Sequence, residues 1–458
     1  MRPNKKTREG FMEFKSVGSI YDYLRDAVRT TRTGVEVVDE ELIRGECIDV
    51  LVYNSVFNGD PEVMGEARRL LKLIAGSLGV WSASIQNLYE AMGRGEAAGF
   101  TVPAINLRGL TYDSSRAVIR SAMKHDAGAF IFEIAKSEIG YTGQRPAEYT
   151  ACVLAAAVKE GFRGPVFIQG DHFQINAKNF KKDKASEVRA IKDLVKEALE
   201  ADFFNIDIDA STVVDLERPE VGEQQRPNYE TTAELTRFIR ENEPEGVTVS
   251  VGGEIGEVGG KNSTEEELRA FMDGFARTLG KGVKGISKIS IQTGTSHGGV
   301  VLPDGTIAKV KVDFDTIERL SKVAREVYGL AGVVQHGAST LPDDAFDIFT
   351  RRGAAEVHLA TGFQNIVYES EAFPDELRKE MYTHLDENLS AERKDGQTDE
   401  QFYYNTRKKA FGPFKEKVWN MGAERIKKIG EELEERFDLL FDKLNTRGTT
   451  EHVRKYIG

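Results

Sequence analysis

The chain has 458 residues, 40% hydrophobic and 30% charged, with 44 Gly and 12 Pro, a balance that allows a large buried core and argues against disorder. Its net charge of -12 excludes broad phosphate-backbone binding, which needs Lys and Arg, so small-molecule chemistry is expected and nucleic acid is not. Cys47 and Cys152 lie far apart and outside any CxxC spacing, which excludes a disulfide framework or a thiolate zinc knuckle and fits a reducing cytoplasm.

The first segment, MRPNKKTREGFMEFK, is basic but lacks the apolar stretch and small-residue cleavage site of a secretory signal. No later run approaches a membrane span, so a soluble protein with no membrane partner is expected. Residues 1–99 look mostly helical, with YDYLRDAVRTTR, EVMGEARRLLKLIAGSL and IQNLYEAMGRGEAAG as the clearest segments, and read as an N-terminal extension packed on a barrel formed by later residues.

From residue 100 the pattern changes to short β-branched or aromatic runs separated by amphipathic stretches. The strand runs are FTVPAIN (100–106), AFIFEIA (129–135), PVFIQGDH (165–172), FFNIDID (203–209), VTVSVGGE (247–254), ISKISIQTG (286–294), GVVQHG (332–337) and AAEVHLAT (354–361). Stretches such as SSRAVIRSAMKH, PAEYTACVLAAAVKEG and TEEELRAFMDGFARTL are long enough to return the chain for parallel pairing. Eight β-then-α units predict an α/β fold, a (β/α)₈ TIM barrel over 100–361, with chemistry at the C-terminal strand ends; a doubly wound open sheet is the alternative. Residues 362–458 read as a helical C-terminal extension. Its last amphipathic stretch, GAERIKKIGEELEERFDLLFDKLN, suits packing or subunit contact, so a homo-oligomer, dimer or tetramer, is expected.

Four of the seven histidines, His172, His297, His336 and His358, fall at or just beyond the ends of strands three, six, seven and eight. In a barrel those ends meet around one axis, so these side chains can converge on one ion, and imidazole is a common ligand of catalytic zinc. His125, on a helix, and His384 and His452, in the tail, read as surface residues.

Gly298, Gly299, Gly337 and Ser339, in GTSHGG and QHGAST, are candidate phosphate contacts through backbone N–H groups. Asp171 precedes His172, and both reach one site only if the strand ends there; a carboxylate beside a metal can act as acid or base. Strand four offers Asp207 and Asp209. Strand five ends at Glu254, a candidate ligand, and Glu257 in the following loop is a candidate proton carrier.

The ordered motifs GDHF, FNIDIDAST, GGEIGEVGG, GTSHGG, QHGAS and EVHLAT resemble those of the class II, metal-dependent aldolases that cleave fructose- and tagatose-bisphosphate, over residues 90 to 362 and more loosely through FYYNTRKKAFGPFKEKVWNMGAERI. The resemblance implies that His172, His297 and His336 hold a zinc or another divalent metal, with Glu254 as an additional acidic ligand and a monovalent cation as a further ion. It implies that Asp171 exchanges the proton of the aldehyde-derived oxygen, and that Asn106, Gly298, Gly337 and Ser339 contact a sugar phosphate. His358 and Thr361, in EVHLAT, join them as substrate contacts. The chemistry implied is reversible aldol cleavage of a ketose phosphate through a metal-stabilised enediolate.

Three departures stand out. Lys261 and Asn262 follow Gly260 where the resemblance leads one to expect an acidic proton carrier, which makes Glu257 the substitute. His358 stands where the family commonly has an asparagine, and GGVVLPDG lacks the lysine expected after the GTSHGG histidine. The stretch IFEIAKSEIGYTGQRPAEY also resembles the non-catalytic subunit of tagatose-bisphosphate aldolase, so a supporting subunit is one alternative and a metal-dependent sugar epimerase or isomerase another. Lys288 could form a Schiff base, but it lies early in strand six, away from the catalytic end.

Overall fold

A computed structural model describes residues 12–32, 34–256, 261–295, 298–299, 301–303, 307–308 and 311–458. The extension forms a short antiparallel pair, β1 (Val28–Thr30) with β2 (Val35–Val37), several helices, and a third strand, β3 (Val80–Ala83). The eight expected runs then appear as β4 (Val102–Asn106), β5 (Ile131–Ala135), β6 (Gly164–Gln174), β7 (Asn205–Asp209), β8 (Ser250–Glu254), β9 (Lys288–Ile291), β10 (Val333–Gln335) and β11 (Glu356–Leu359). Each pairs in parallel with its neighbours, and β11 returns to β4, so the sheet closes into a TIM barrel. The apolar runs are explained by burial: β4, β5 and β7 to β11 are buried at every position, as strands between a packed interior and a helical coat must be.

Helix boundaries reflect local chemistry. Pro146 begins helix Pro146–Glu160 and Gly161, at φ 77°, ends it. Thr264 and Glu267 cap each other reciprocally at the start of helix Glu265–Leu279.

Two features differ from the sequence reading. β3 adds a parallel strand to the outer edge of β6 from within the extension read as helical. β6 runs past the expected end at residue 172 to Gln174, with a register break between Gly170 and Phe173, where His172 adopts φ 41°. A left-handed non-glycine residue costs about 1–3 kcal/mol and persists where its surroundings impose it. The bulge interrupts the alternation of side chains, so Asp171 and His172 both reach the barrel mouth although the strand continues. Gly170 leaves room for this kink: a Cβ there would sit 2.5 Å from the Phe173 ring.

The described parts of both extensions pack on the barrel. Helix Gln86–Gly93 closes the bottom, where Leu88, Tyr89 and Met92 pack with Val102, Ile131 and Phe167. Helix Ala423–Lys443 lies along helix Thr111–His125, joined by Arg120 to Glu434 at 2.6 Å and Ser121 to Asp438 at 2.6 Å. His125, read as a surface residue, is largely covered there, with Nε2 2.9 Å from Asp438. The tail segment around Tyr404 lies at the mouth, where the Tyr404 hydroxyl donates to the Gly298 carbonyl at 3.0 Å, while Val453 of the last helix packs at the bottom. Among the described residues no helix is long and apolar enough to cross a membrane.

Candidate metal centre and cleft

A cleft of about 560 Å³ opens at the C-terminal ends of the barrel strands, and Asn106, Asp171, His172, Glu254, His336 and His358 all line it. His172 is central. Its Nδ1 lies 3.1 Å from Asp209 Oδ2 and 3.3 Å from Glu254 Oε2, and its Nε2 lies 3.9 Å from Asp171 Oδ1. The His336 ring stands 4.3 Å from the His172 ring and 4.1 Å from the His358 ring. His336 Nε2 is 3.1 Å from the Ser290 hydroxyl.

Ligand atoms of Asp171, His172 and His336 lie within 4.8 Å of one another, as do those of His172, Asp209 and Glu254. The donor set suits a divalent cation: imidazoles and carboxylates converge, and the 3.3 Å between His172 and Glu254 is close to the ~3.4 Å separating two ligands of a tetrahedral site with bonds of about 2.1 Å. Electrostatics agree. Burial and the neighbouring Asp209 carboxylate push Glu254 up to about 8, against the pull of His172. Burial disfavours charge on His172 too, but Asp171 and Glu254 hold its pKa well above the usual imidazole range.

A second polar layer lies beneath and is closed from the cleft. Lys288, 1% exposed, bonds Glu356, pairs with Asp207 at 3.0 Å, and donates to Gln169 at 2.7 Å. The Tyr89 hydroxyl, rising from the bottom helix, donates to Glu356. Burial opposes the Lys288 charge, but Asp207 and Glu356 raise its pKa above the ordinary lysine value. An ammonium so held is neither neutral nor exposed, as Schiff-base chemistry requires.

His358 joins the layers. Its Nδ1 lies 2.9 Å from Glu133 and 3.3 Å from Asp171, and its Nε2 2.5 Å from Glu356. Expected as a substrate contact, it lines the cleft, but both ring nitrogens face carboxylates. Opposing influences act on Asp171: desolvation raises it, yet His172 and His358 hold its carboxyl well below the usual range.

Asn106 donates to Glu138 at 2.6 Å, while its buried Oδ1 has no hydrogen-bond partner among the described residues. Gly298 and Gly337 take φ of 75° and 68°, and line the cleft with Ser339 and Thr361. His297 and Glu257 lie outside the described residues. Sequence reasoning missed Glu133, Glu138 and Glu356. Glu133 and Glu356 are visible as charges inside apolar strand runs, where an unpaired carboxylate would not be tolerated.

The model of one family, described as fructose-bisphosphate aldolase class-II, matches residues 86–433. The chain belongs to the class-II fructose-bisphosphate aldolase family. No curated protein sequence matches it significantly. Among solved structures, a protein described as a probable tagatose 6 phosphate kinase from Sinorhizobium meliloti is 16% identical, with 78% of this chain and 93% of that one covered and a TM-score of 0.52. The YdjI aldolase from Escherichia coli K12 is 14% identical, covering 80% and 99%, with a TM-score of 0.48. The fructose-bisphosphate aldolase of Campylobacter jejuni is 17% identical, covering 81% and 97%, with a TM-score of 0.47. At 16% identity the likeness with a TM-score of 0.52 speaks for the barrel alone. Membership of the class-II family supports an aldolase-type function, and the described clusters of His and acidic residues are ones that could hold a divalent metal.

Proposed function

We propose that this chain is a metal-dependent lyase that reversibly cleaves a ketose phosphate by an aldol route. The observation carrying this reading is the gathering of His172, His336, Glu254 and Asp171 at one cleft of a class-II aldolase barrel. His172, His336 and Glu254, with His297 from the sequence pattern, would hold zinc or another divalent ion. Such an ion, when bound, polarises a ketose carbonyl and so favours electron density on the adjacent carbon.

The remaining steps belong to the chain's own groups. Asp171 is the base that takes the proton from the substrate hydroxyl two carbons from the carbonyl. As that oxygen becomes an aldehyde, the carbon–carbon bond breaks and its electron pair stays with the ketol fragment. In the reverse direction Asp171 returns the proton to the new hydroxyl. His358, between Glu133 and Asp171, orients this carboxylate and helps to hold its pKa low. Glu257 is the sequence candidate for protonating the ketol carbon. Asn106 Oδ1 is available to accept from a substrate hydroxyl, and the Gly298, Gly337 and Ser339 loops offer backbone N–H groups to phosphate.

The test is product analysis over a panel of ketose phosphates, before and after chelation and metal restoration. Release of two carbonyl fragments that stops with chelation supports the proposal. A ketose rearranged without fragment release points to an epimerase or isomerase, and inactivity of the metal-loaded chain on the whole panel refutes a lyase.

A further inference from the structure

β9 ends at Ile291 and the next helix begins at Phe314, so the loop after β9 is far longer than the roughly 2–6 residues usual between a strand and the helix that follows it. Gly298, on this loop, lines the cleft at φ 75°, and Gly299 follows at φ 74°. A Cβ on Gly299 would lie 2.6 Å from Ile307 and 3.0 Å from the Thr340 hydroxyl, so the loop is closely packed at this point. A segment with little secondary structure of its own must find partners for its carbonyls elsewhere. Helix Asp399–Thr406 of the C-terminal extension supplies three of them. The Tyr404 hydroxyl donates to the Gly298 carbonyl at 3.0 Å, Gln401 Nε2 to the Val301 carbonyl at 2.8 Å, and the hydroxyl of the capping residue Thr398 to the Pro303 carbonyl at 3.1 Å.

The donors are evenly spaced. Residues 398, 401 and 404 fall three apart, which puts them on one face of the helix, and they meet the carbonyls of 303, 301 and 298 in the opposite chain direction. Each donor is also fixed by a second bond. Thr398 and Gln401 cap the helix reciprocally: the Thr398 hydroxyl oxygen accepts from the Gln401 N–H at 3.3 Å, and Gln401 Oε1 accepts from the Thr398 N–H at 3.2 Å. Both side chains then have their donor ends left for the loop. The Tyr404 hydroxyl accepts from Asn365 Nδ2 at 3.0 Å, Asn365 Oδ1 accepts from Arg407 at 2.6 Å, and the Arg407 guanidinium stands 4.8 Å from the centre of the Tyr404 ring. Asn365 lies on helix Thr361–Glu369, which follows β11, so the tie reaches the barrel itself.

Water could satisfy any one of these carbonyls, but it would not fix where the loop stands. Three side-chain donors, each held by a second partner, do fix it. We propose that helix Asp399–Thr406 sets the position of the β9 loop at the cleft, with Tyr404 as the positioning residue that acts through Gly298. The tie is argued from these bonds; that the loop it positions contacts a sugar phosphate rests on the aldolase reading. A contact remote from the bond being cleaved is made equally to substrate and transition state, so misplacing Gly298 belongs in KM rather than in kcat.

Amide hydrogen exchange of the full-length chain reads the tie without turnover. Tyr404→Phe keeps the ring beside Arg407 but removes the donor, so exchange over residues 298–302 is expected to quicken about tenfold, as loss of one hydrogen bond gives, with exchange in the barrel strands unchanged. With a cleavable ketose phosphate, the same variant should raise KM about tenfold and leave kcat within about twofold. Tyr403→Phe, which removes a neighbouring hydroxyl that donates to Asp386 at 2.7 Å, should change neither. Gln401→Met should raise KM less, and Thr398→Val should lower the unfolding midpoint by loss of its cap while hardly moving KM. Exchange over 298–302 that quickens in Tyr404→Phe, in a chain whose parent cleaves no ketose phosphate, upholds the tie and refutes the aldolase reading. Unchanged exchange there, or an active parent whose KM is indifferent to Tyr404→Phe, overturns the positioning role. If Tyr404→Phe fails to fold, Gln401→Met decides by the same readouts.

Discussion

The barrel holds two polar layers made from the same kinds of side chain, and they do different things. In the lower layer Glu356 and Asp207 share Lys288 under a closed roof, and Tyr89 and Gln169 add hydrogen bonds to Glu356. In the upper layer Asp171, Asp209 and Glu254 face a cleft and are balanced by imidazoles, which are themselves metal ligands. A resident ammonium turns a cluster of acids into a structural plug. Replacing it by imidazoles, which can give up a proton and become metal ligands, leaves the same acids able to take up a cation from outside.

That contrast can be broken from below first. Lys288→Met should destabilise the fold by about 3–5 kcal/mol, because it strands Glu356 and Asp207 in the interior. Denaturant unfolding reads this directly, and a stability unchanged by the substitution would mean that the lower layer is not held by its lysine. From above, His172→Ala should lose metal and cleave more than about 100-fold more slowly, beyond the 10–100-fold typical of an outer-shell partner. Retention of metal and rate would remove His172 from the centre.

His358→Asn probes the join between layers, with an expected fall in kcat of about 10–100-fold and a small change in KM. The sign of its pH effect depends on Asp171. His172 and His358 hold that carboxyl low, so it is ionised well below neutrality; removing one imidazolium raises its pKa, and the acid limb of kcat/KM should move to higher pH. A limb that stays put or moves down contradicts the positioning role. The smallest effect should come from Tyr89→Phe, about 1–2 kcal/mol, since Glu356 keeps Lys288 and His358 as partners. Unfolding of that variant at the parent's midpoint would show the bottom helix contributing by packing alone.

Much of this was legible in the sequence for physical reasons. Strands buried on both faces cannot hide their apolar runs, and eight of them in alternation with helices leave few topologies. His172, His336 and Glu254 announced themselves by lying at strand ends. β3 did not, because VWSA is four residues long and its pairing with β6 is a choice made by packing. The bulge that turns Asp171 and His172 to one site was readable only as a condition, since the sequence does not encode φ at residue 172. Arg108, Tyr141 and Lys408, which line the cleft, were the least visible. They come from a loop, a helix and a turn of the tail, and only the tertiary docking of that tail makes them neighbours.

The central claim is that the upper layer takes up a divalent cation and the lower layer does not. Equilibrium dialysis of the metal-stripped chain against zinc, read by elemental analysis, tests it for the parent, His336→Ala and Tyr89→Phe. The account predicts one tightly held ion per chain in the parent and in Tyr89→Phe, and none in His336→Ala. An ion retained by His336→Ala, or a parent chain that binds no divalent metal, would contradict it.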